Sequence, residues 1–251
     1  NPKDPYISSF ESHYESKKIS EFAKDTIAFL PFLIDFESHK KAVFLEANLQ
    51  DYPGLFVTNN GDKTGFISRF SKYPLAETNG GFNFLNKLIA KRADYLVQTK
   101  GTREFPWRIL VISEKDSDLA NSDMVQKLSE PSKIKDISWI KPGKVAWDWW
   151  NDWNIYNIDF QAGINTETYQ YYIDFASKNK VEYVVLDEGW SVETNIMEHN
   201  PNVDLEALIA YAKERNVNII LWCSWMALHE NTEAIFKNYA DLGIKGFKVD
   251  F

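Results

Sequence analysis

The sequence predicts a β-rich first half followed by an α/β half built on a parallel sheet. Three observations carry this. Tryptophan is lopsided: Trp107 stands alone in the first 138 residues, and every other one lies between Trp139 and Trp225. Short apolar or alternating runs broken by turn residues fill the first half. Strand-like and helix-like segments then alternate strictly in the second, which implies parallel strands joined by crossover helices.

From Asp25 to about Arg108 the runs are Ile27 to Phe36, Ala42 to Leu49 and Leu55 to Val57, separated by turns such as Asn59-Asn60-Gly61-Asp62 and Asn79-Gly80-Gly81. They read as mostly antiparallel sheet, with helix-like stretches at Lys17 to Lys24 and Phe84 to Ala93. Residues 114–138, rich in Ser, Lys and Asp, read as a linker with a short helix around Ser122 to Lys127. The expected division is therefore a β portion at 1–113, the linker at 114–138 and an α/β portion at 139–251.

In the α/β portion the first strand is expected at Lys144 to Trp150. A helix over Asn165 to Lys178 carries Tyr169, Tyr172, Ile173 and Ala176 on one face. The second strand, Glu182 to Gly189, has the continuous apolar core Tyr-Val-Val-Leu of a strand buried on both faces. Leu205, Leu208, Ile209 and Ala212 stripe a second helix behind the N-cap residue Asp204. Asn218 to Trp222 begins a third strand. Ile235, Tyr239 and Leu242 stripe a third helix that Gly243 ends, and Lys245 to Phe251 is the fourth strand. Four strands and three helices fit half of a (β/α)₈ barrel or an open doubly wound sheet. The polar residues favour the barrel, because they collect after the strands: Asp148 to Asp152, Asp187-Glu188-Gly189-Trp190, Ser224-Trp225 and Asp250. No Gly-rich phosphate loop follows the first strand.

The bulk numbers exclude several classes. With 251 residues and a formal charge of -8, a nucleic-acid-binding protein is disfavoured. The single cysteine, Cys223, excludes intrachain disulfides and reads as an inert buried thiol. His13, His39, His199 and His229 show no metal-ligand spacing, which argues against zinc. No apolar run approaches the roughly 18 residues of a membrane helix. The opening Asn-Pro-Lys-Asp is neither a signal peptide nor an initiator methionine, so the N-terminus reads as cut.

Tryptophans around carboxylates suit sugars, whose C–H faces stack on rings while their hydroxyls bond to acids and to Lys. Glycoside hydrolysis passes through a cation-like state and usually employs two carboxyl groups. Lys248 and Asp250 alternate onto one strand face, where the ammonium keeps the carboxylate ionised. Asp250 is thus the candidate nucleophile, although a strand-end acid also suits a helix cap or a simple ion pair. Asp187 and Glu188 are adjacent, so only one points inward unless the strand has already ended. Trp147, Trp149, Trp150, Trp222 and Trp225 suit sugar stacking or packing alike.

Three segments together resemble glycoside hydrolase family 97: Lys144-Val-Ala-Trp-Asp-Trp-Trp-Asn-Asp-Trp153, Val185-Leu-Asp-Glu-Gly-Trp190 and Gly246-Phe-Lys-Val-Asp-Phe251. The resemblance spans the whole chain. It implies part of an N-terminal super-β-sandwich, followed by the first four strands of a catalytic (β/α)₈ TIM barrel, in an exo-acting α-glycosidase. The family's inverting α-glucosidase branch has no nucleophile at the fourth strand, whereas its retaining branch has Lys-x-Asp there. Lys248-Val249-Asp250 therefore implies retention, on α-galactosides or on β-L-arabinopyranosides of the same configuration. Asp250 would be the nucleophile, Lys248 a hydroxyl ligand, and Asp187 with Glu188 a grip on the nonreducing sugar. Trp190 and Trp222 join the expected substrate-binding set.

The resemblance further implies a calcium ion, with Glu46 the best match to a ligand from the β portion, and a periplasmic or secreted bacterial protein acting on oligosaccharides. Four strands leave two unpaired sheet edges. The chain therefore reads as a segment of a longer protein, the general acid and most calcium ligands belonging to a remaining C-terminal part, expected as another chain or segment. The rival from another class is a noncatalytic carbohydrate-binding protein.

Overall fold

The structure is a computed structural model that describes residues 4–7, 13–24, 26–62 and 64–251; Asp25, at the expected start of the β pattern, lies outside them. It divides into two compact units. One comprises the residues up to Thr78 together with Leu88–Lys135, and the other Asn79–Lys87 with Asp136–Phe251.

The first unit is built from strands. β1 (Ile27–Phe29) and β2 (Phe32–Asp35) are followed by β3 (Lys41–Ala47), β4 (Phe56–Asn59) and β5 (Phe66–Arg69). β6 (Pro74–Gly80) and β7 (Asn86–Arg92) pair as a two-stranded ribbon, and β8 (Trp107–Ser113) closes the series. β1-β4-β5 and β2-β3-β8 are three-stranded antiparallel sheets. Pro31, with no N–H to donate to a ladder, parts the expected Ile27 to Phe36 run into β1 and β2. Phe22, Phe32 and Phe66 meet edge to face with centroids 4.9 to 6.4 Å apart, which ties β2 of one sheet to β5 of the other. Helices α1 (Asp116–Ala120) and α2 (Met124–Leu128) occupy the polar stretch read as a linker and pack against β3 and β8.

Two expectations are corrected here. Phe84 to Ala93 is the strand β7 rather than a helix: Leu85, Leu88 and Ile89 mimic helical spacing, but the Asn79-Gly80-Gly81 turn folds the segment back onto β6. The helix expected over Lys17 to Lys24 shrinks to one 3₁₀ turn, Ile19–Glu21.

The second unit has a parallel sheet of β9 (Val145–Trp147), β10 (Tyr183–Leu186), β13 (Asn218–Ser224) and β14 (Gly246–Asp250). A small hairpin of β11 (Ser191–Val192) and β12 (Asn195–His199) lies between β10 and β13 in sequence. The spatial order is β14-β13-β10-β9, so neighbours in space are neighbours in sequence. No reversal of strand order occurs, and such a reversal is what creates the binding crevice of a doubly wound sheet.

The crossovers are α3 (Thr166–Asn179), α4 (Leu205–Glu214) and α6 (Thr232–Leu242), with α5 (Trp225–Leu228) a single turn after β13. Asn165 and Asp204 cap α3 and α4 by accepting from the N–H groups of Thr168 and Ala207, and Gly243 ends α6 at φ 105°. Tyr169, Ile173 and Ala176 of α3, Leu208 and Ala212 of α4, and Ile235 and Tyr239 of α6 are buried with Val184, Leu186, Ile219 and Leu221 of the strands in one core. That core fixes where the C-terminal strand ends, and everything after them, can stand. Among the described residues no helix is long and apolar enough to cross a membrane.

Candidate active site

The acids and tryptophans singled out in the sequence meet after β9, β10, β13 and β14. Register explains the meeting, because Trp222 of β13 is the partner of Lys248 of β14, and Ser224 is the partner of Asp250. Lys248 Nζ lies 2.7 Å from Asp250 Oδ2 and 3.5 Å from Asp187 Oδ2, so a single ammonium serves two carboxylates. It also sits 5.3 Å from the Trp147 ring centre and 5.9 Å from that of Trp222.

Asp250 receives three donors: Lys248, the Trp222 indole N–H at 3.3 Å to Oδ2, and the Phe251 backbone N–H at 3.1 Å to Oδ1. Burial pulls its carboxyl upward. The hydrogen bond and charge of Lys248, with the other donors, more than offset this and hold it below the ordinary carboxylate range. Its side chain is nevertheless 43% exposed, so an ionised oxygen faces open space.

Asp187 is nearly buried at 3% side-chain exposure. The strand has ended at Leu186, and Asp187 accepts from the Trp147 indole at 2.5 Å and from the Glu188 N–H at 2.8 Å. With the strand ended at Leu186, the alternation of faces that a regular strand imposes does not apply to these two acids. Glu188 is partly buried, and its carboxyl is pushed up to about 7, first by burial and then by the Glu193 carboxyl beside it, with Asp187 and Asp250 adding repulsion. Glu193 lies in the loop joining β11 and β12 and was not singled out in the sequence, because no strand-end pattern points to it.

Asp148, directly after β9, is a second acid of unusual state. It is wholly buried, Oδ2 accepts from the Trp153 indole at 2.8 Å, and Oδ1 has no partner. Burial, then the charge of Asp187, push it up to about 6. The Tyr169 hydroxyl is likewise buried, lies beside Asp148 and Trp153 without full hydrogen-bond geometry, and is pushed well upward by burial and then by the charge of Asp148. Cys223 is buried and its thiol pushed up to about 12, which agrees with the reading of an inert core residue.

Two of the expected site residues take different positions. Trp190 has no exposed surface; its indole N–H donates to the Trp222 carbonyl and its ring packs against His199 and Tyr239. It is a core residue and offers no face to a sugar. Trp222 is 2% exposed and acts on the site through its indole N–H to Asp250, not by stacking. Exposed rings are supplied instead by Trp149, Trp150 and Trp225.

Glu46 stands in the first unit, on β3. Its Oε2 accepts from the Leu55 N–H at 2.9 Å and its Oε1 is 3.0 Å from Arg108 Nε across the β3–β8 ladder, in ion-pair contact without hydrogen-bond geometry. Its charge is thus met by a resident cation. Calcium takes six to eight oxygen ligands. Among the described residues no three His, Cys, Asp or Glu side chains come together to hold a metal. The resemblance places most calcium ligands outside this chain, and Glu46 by itself supplies only one of them.

Comparison with known proteins finds relatives along most of the chain. A model described as Glycosyl-hydrolase 97 N-terminal matches residues 1–131, and one described as Glycoside hydrolase 97 matches residues 149–251. The chain is 43% identical over 248 residues to a retaining alpha-galactosidase of Bacteroides thetaiotaomicron, covering 98% of this chain and 38% of the relative. It is 29% identical over 165 residues to a probable retaining alpha-galactosidase of Streptomyces bingchenggensis, covering 63% of this chain and 25% of that protein. A family 97 enzyme from Pseudoalteromonas sp. strain K8, solved with acarbose, superposes with a TM-score of 0.67 at 22% identity over 90% of this chain and 34% of its own, which shows a shared fold. The chain therefore spans little more than a third of the length of the Bacteroides relative. With models of both halves matched across most of its length, the chain belongs to glycoside hydrolase family 97.

Proposed function

We propose that the protein containing this chain is a retaining exo-α-glycosidase acting on nonreducing terminal α-galactosides, or on β-L-arabinopyranosides of the same configuration, through a glycosyl-aspartate intermediate. The observation that carries this is Asp250: ionised, half-exposed, and held by Lys248, Trp222 and the Phe251 N–H so that an oxygen is aimed by fixed donors. The name of the Bacteroides relative supports it. The four parallel strands in sequential order support a (β/α)₈ barrel, whose sites gather after the strands, behind a β-sandwich.

In this reading an Asp250 oxygen attacks the anomeric carbon as the glycosidic bond breaks, and the leaving oxygen takes a proton from a carboxylic acid about 5–5.5 Å away. The same residue then draws a proton from water, which attacks the glycosyl ester and restores Asp250. We place that acid outside these 251 residues and assign the nearby carboxyls to hydroxyls. Lys248, shared between Asp187 and Asp250, donates to a sugar hydroxyl and holds Asp250 in its charged form. Asp187 accepts from hydroxyls of the terminal sugar. Glu188, protonated in part near neutrality, both donates and accepts. The proposal includes an oligosaccharide substrate and a periplasmic or secreted location.

The test uses the whole protein on an aryl α-galactoside, with proton NMR of the first sugar released. The α-anomer is expected, and Asp250→Ala is expected to lower turnover at least about a thousandfold while circular dichroism stays unchanged. Release of the β-anomer, or retained activity in the variant, contradicts the assignment.

A further inference from the structure

The tip of the β6–β7 ribbon belongs to the same compact unit as the carboxylates. Phe82 stacks on Phe251 with ring centres 5.2 Å apart and planes at 22°, and Phe251 directly follows Asp250. Phe251 in turn meets Trp222 edge-on at 6.3 Å. Asn83 Nδ2 lies 3.4 Å from both carboxylate oxygens of Glu193, the acid that raises Glu188. One tight turn therefore touches both flanks of the carboxylate cluster.

The turn is held in a costly shape. Gly81 has φ 72°, and a Cβ there would fall 1.9 Å from Asn86 Oδ1. Asn83 and Phe84, neither of them glycine, have φ of 46° and 61°. Left-handed backbone at non-glycine residues survives only where the surroundings over-determine it, and it concentrates at binding sites. What this turn gains is not burial, since Phe82 remains 53% exposed and Phe84 71% exposed. Two large rings are presented to solvent, and one of them, Phe82, ends a row of rings formed with Phe251 and Trp222.

We infer that Phe82, backed by Phe251, is the platform for the leaving portion of the substrate, the sugar on the reducing side of the scissile bond. This rests on the glycosidase reading above and adds a subsite to it. The chemistry divides the work. Lys248, Asp187 and Glu188 supply charged and polar partners for the hydroxyls of the terminal sugar, whereas Phe82 and Phe251 offer only ring surface. An apolar face holds the C–H side of a pyranose without demanding a particular pattern of hydroxyls, as suits the variable part of an oligosaccharide. Asn83, through Glu193, fixes the angle at which Phe82 is presented.

The experiment compares two substrates on the whole protein: a disaccharide with galactose α-linked to a second sugar, and α-galactosyl fluoride, whose leaving group is too small to reach a platform. Phe82→Ala is expected to lower kcat/KM for the disaccharide roughly tenfold, the size of a lost ring contact, and to leave the fluoride unchanged. Phe82→Tyr, which keeps the ring, should restore the disaccharide. An equal loss on both substrates, no loss on the disaccharide, or failure of Phe82→Tyr to restore it overturns the platform alone. A wild-type protein inert on both substrates overturns the glycosidase reading and the platform with it.

Discussion

Asp148 directly follows β9 and Asp250 ends β14, the two edge strands of the same parallel sheet, and each accepts a hydrogen bond from a tryptophan indole. Their charge states diverge. Asp148 is wholly buried, has no cation, keeps one oxygen unpartnered and is pushed up to about 6. Asp250 is half-exposed, has Lys248 at 2.7 Å and is held below the ordinary range. The same residue type near a strand end therefore becomes either a core acid whose ionisation burial opposes or a half-exposed one that an ammonium favours in its charged form. The indole donor is common to both, so it does not decide the outcome. The ammonium and the exposure do.

The largest way to break the contrast is to remove the ammonium. Lys248→Met keeps the stem's packing and deletes the charge, leaving Asp250 with burial and two neutral donors. Its carboxyl should then rise, so the acid limb of the pH–kcat/KM profile moves to higher pH. The plateau should fall about a hundred- to a thousandfold, the usual effect of losing one charged or oriented donor at a reacting centre. An unmoved acid limb would mean that Lys248 does not set the charge of Asp250.

A smaller effect sharpens the other side. A carboxyl raised in the folded state contributes stability that is full below its unfolded value and is lost as pH rises through the folded one. For Asp148 that window runs from the ordinary carboxylate value, 3.8, up to about 6. Asp148→Asn can still accept from Trp153 but carries no charge. In urea unfolding its stability at pH 7 relative to pH 4 should exceed that of the wild type by an amount on the order of 2–3 kcal/mol. Glu188 still contributes its own slope, up to about 7. An identical pH dependence in the two proteins would show that Asp148 carries no burden of charge.

Much of this was legible in the sequence where local rules and the fold agree. The Asp204 cap, the Gly243 stop and the Tyr-Val-Val-Leu run of β10 each state a local preference that the core then uses. Lys248 and Asp250 were legible because a two-residue period puts them on one face of β14. Phe84 to Ala93 was misread because its apolar spacing fits two periods, and only pairing with β6 resolves it. Trp190 was misread because strand-end position says nothing about whether a large ring turns outward or, as here, beneath Trp222. Glu193 and Asn83 meet across 110 residues, and no pattern within either segment announces that. Asp148 was noticed as a polar residue after the first strand. Its resistance to ionisation depends on burial and on the charge of Asp187, which only the fold brings around it.

The nucleophile can be identified directly by trapping the covalent intermediate. The whole protein is incubated with a fluorinated galactosyl fluoride that glycosylates the enzyme faster than it is released, then digested, and the peptides are sequenced by mass spectrometry. One added fluorogalactosyl group on the carboxylate of Asp250 is the expected result. The same mass on a different residue, or turnover with no covalent adduct at any time, would contradict it.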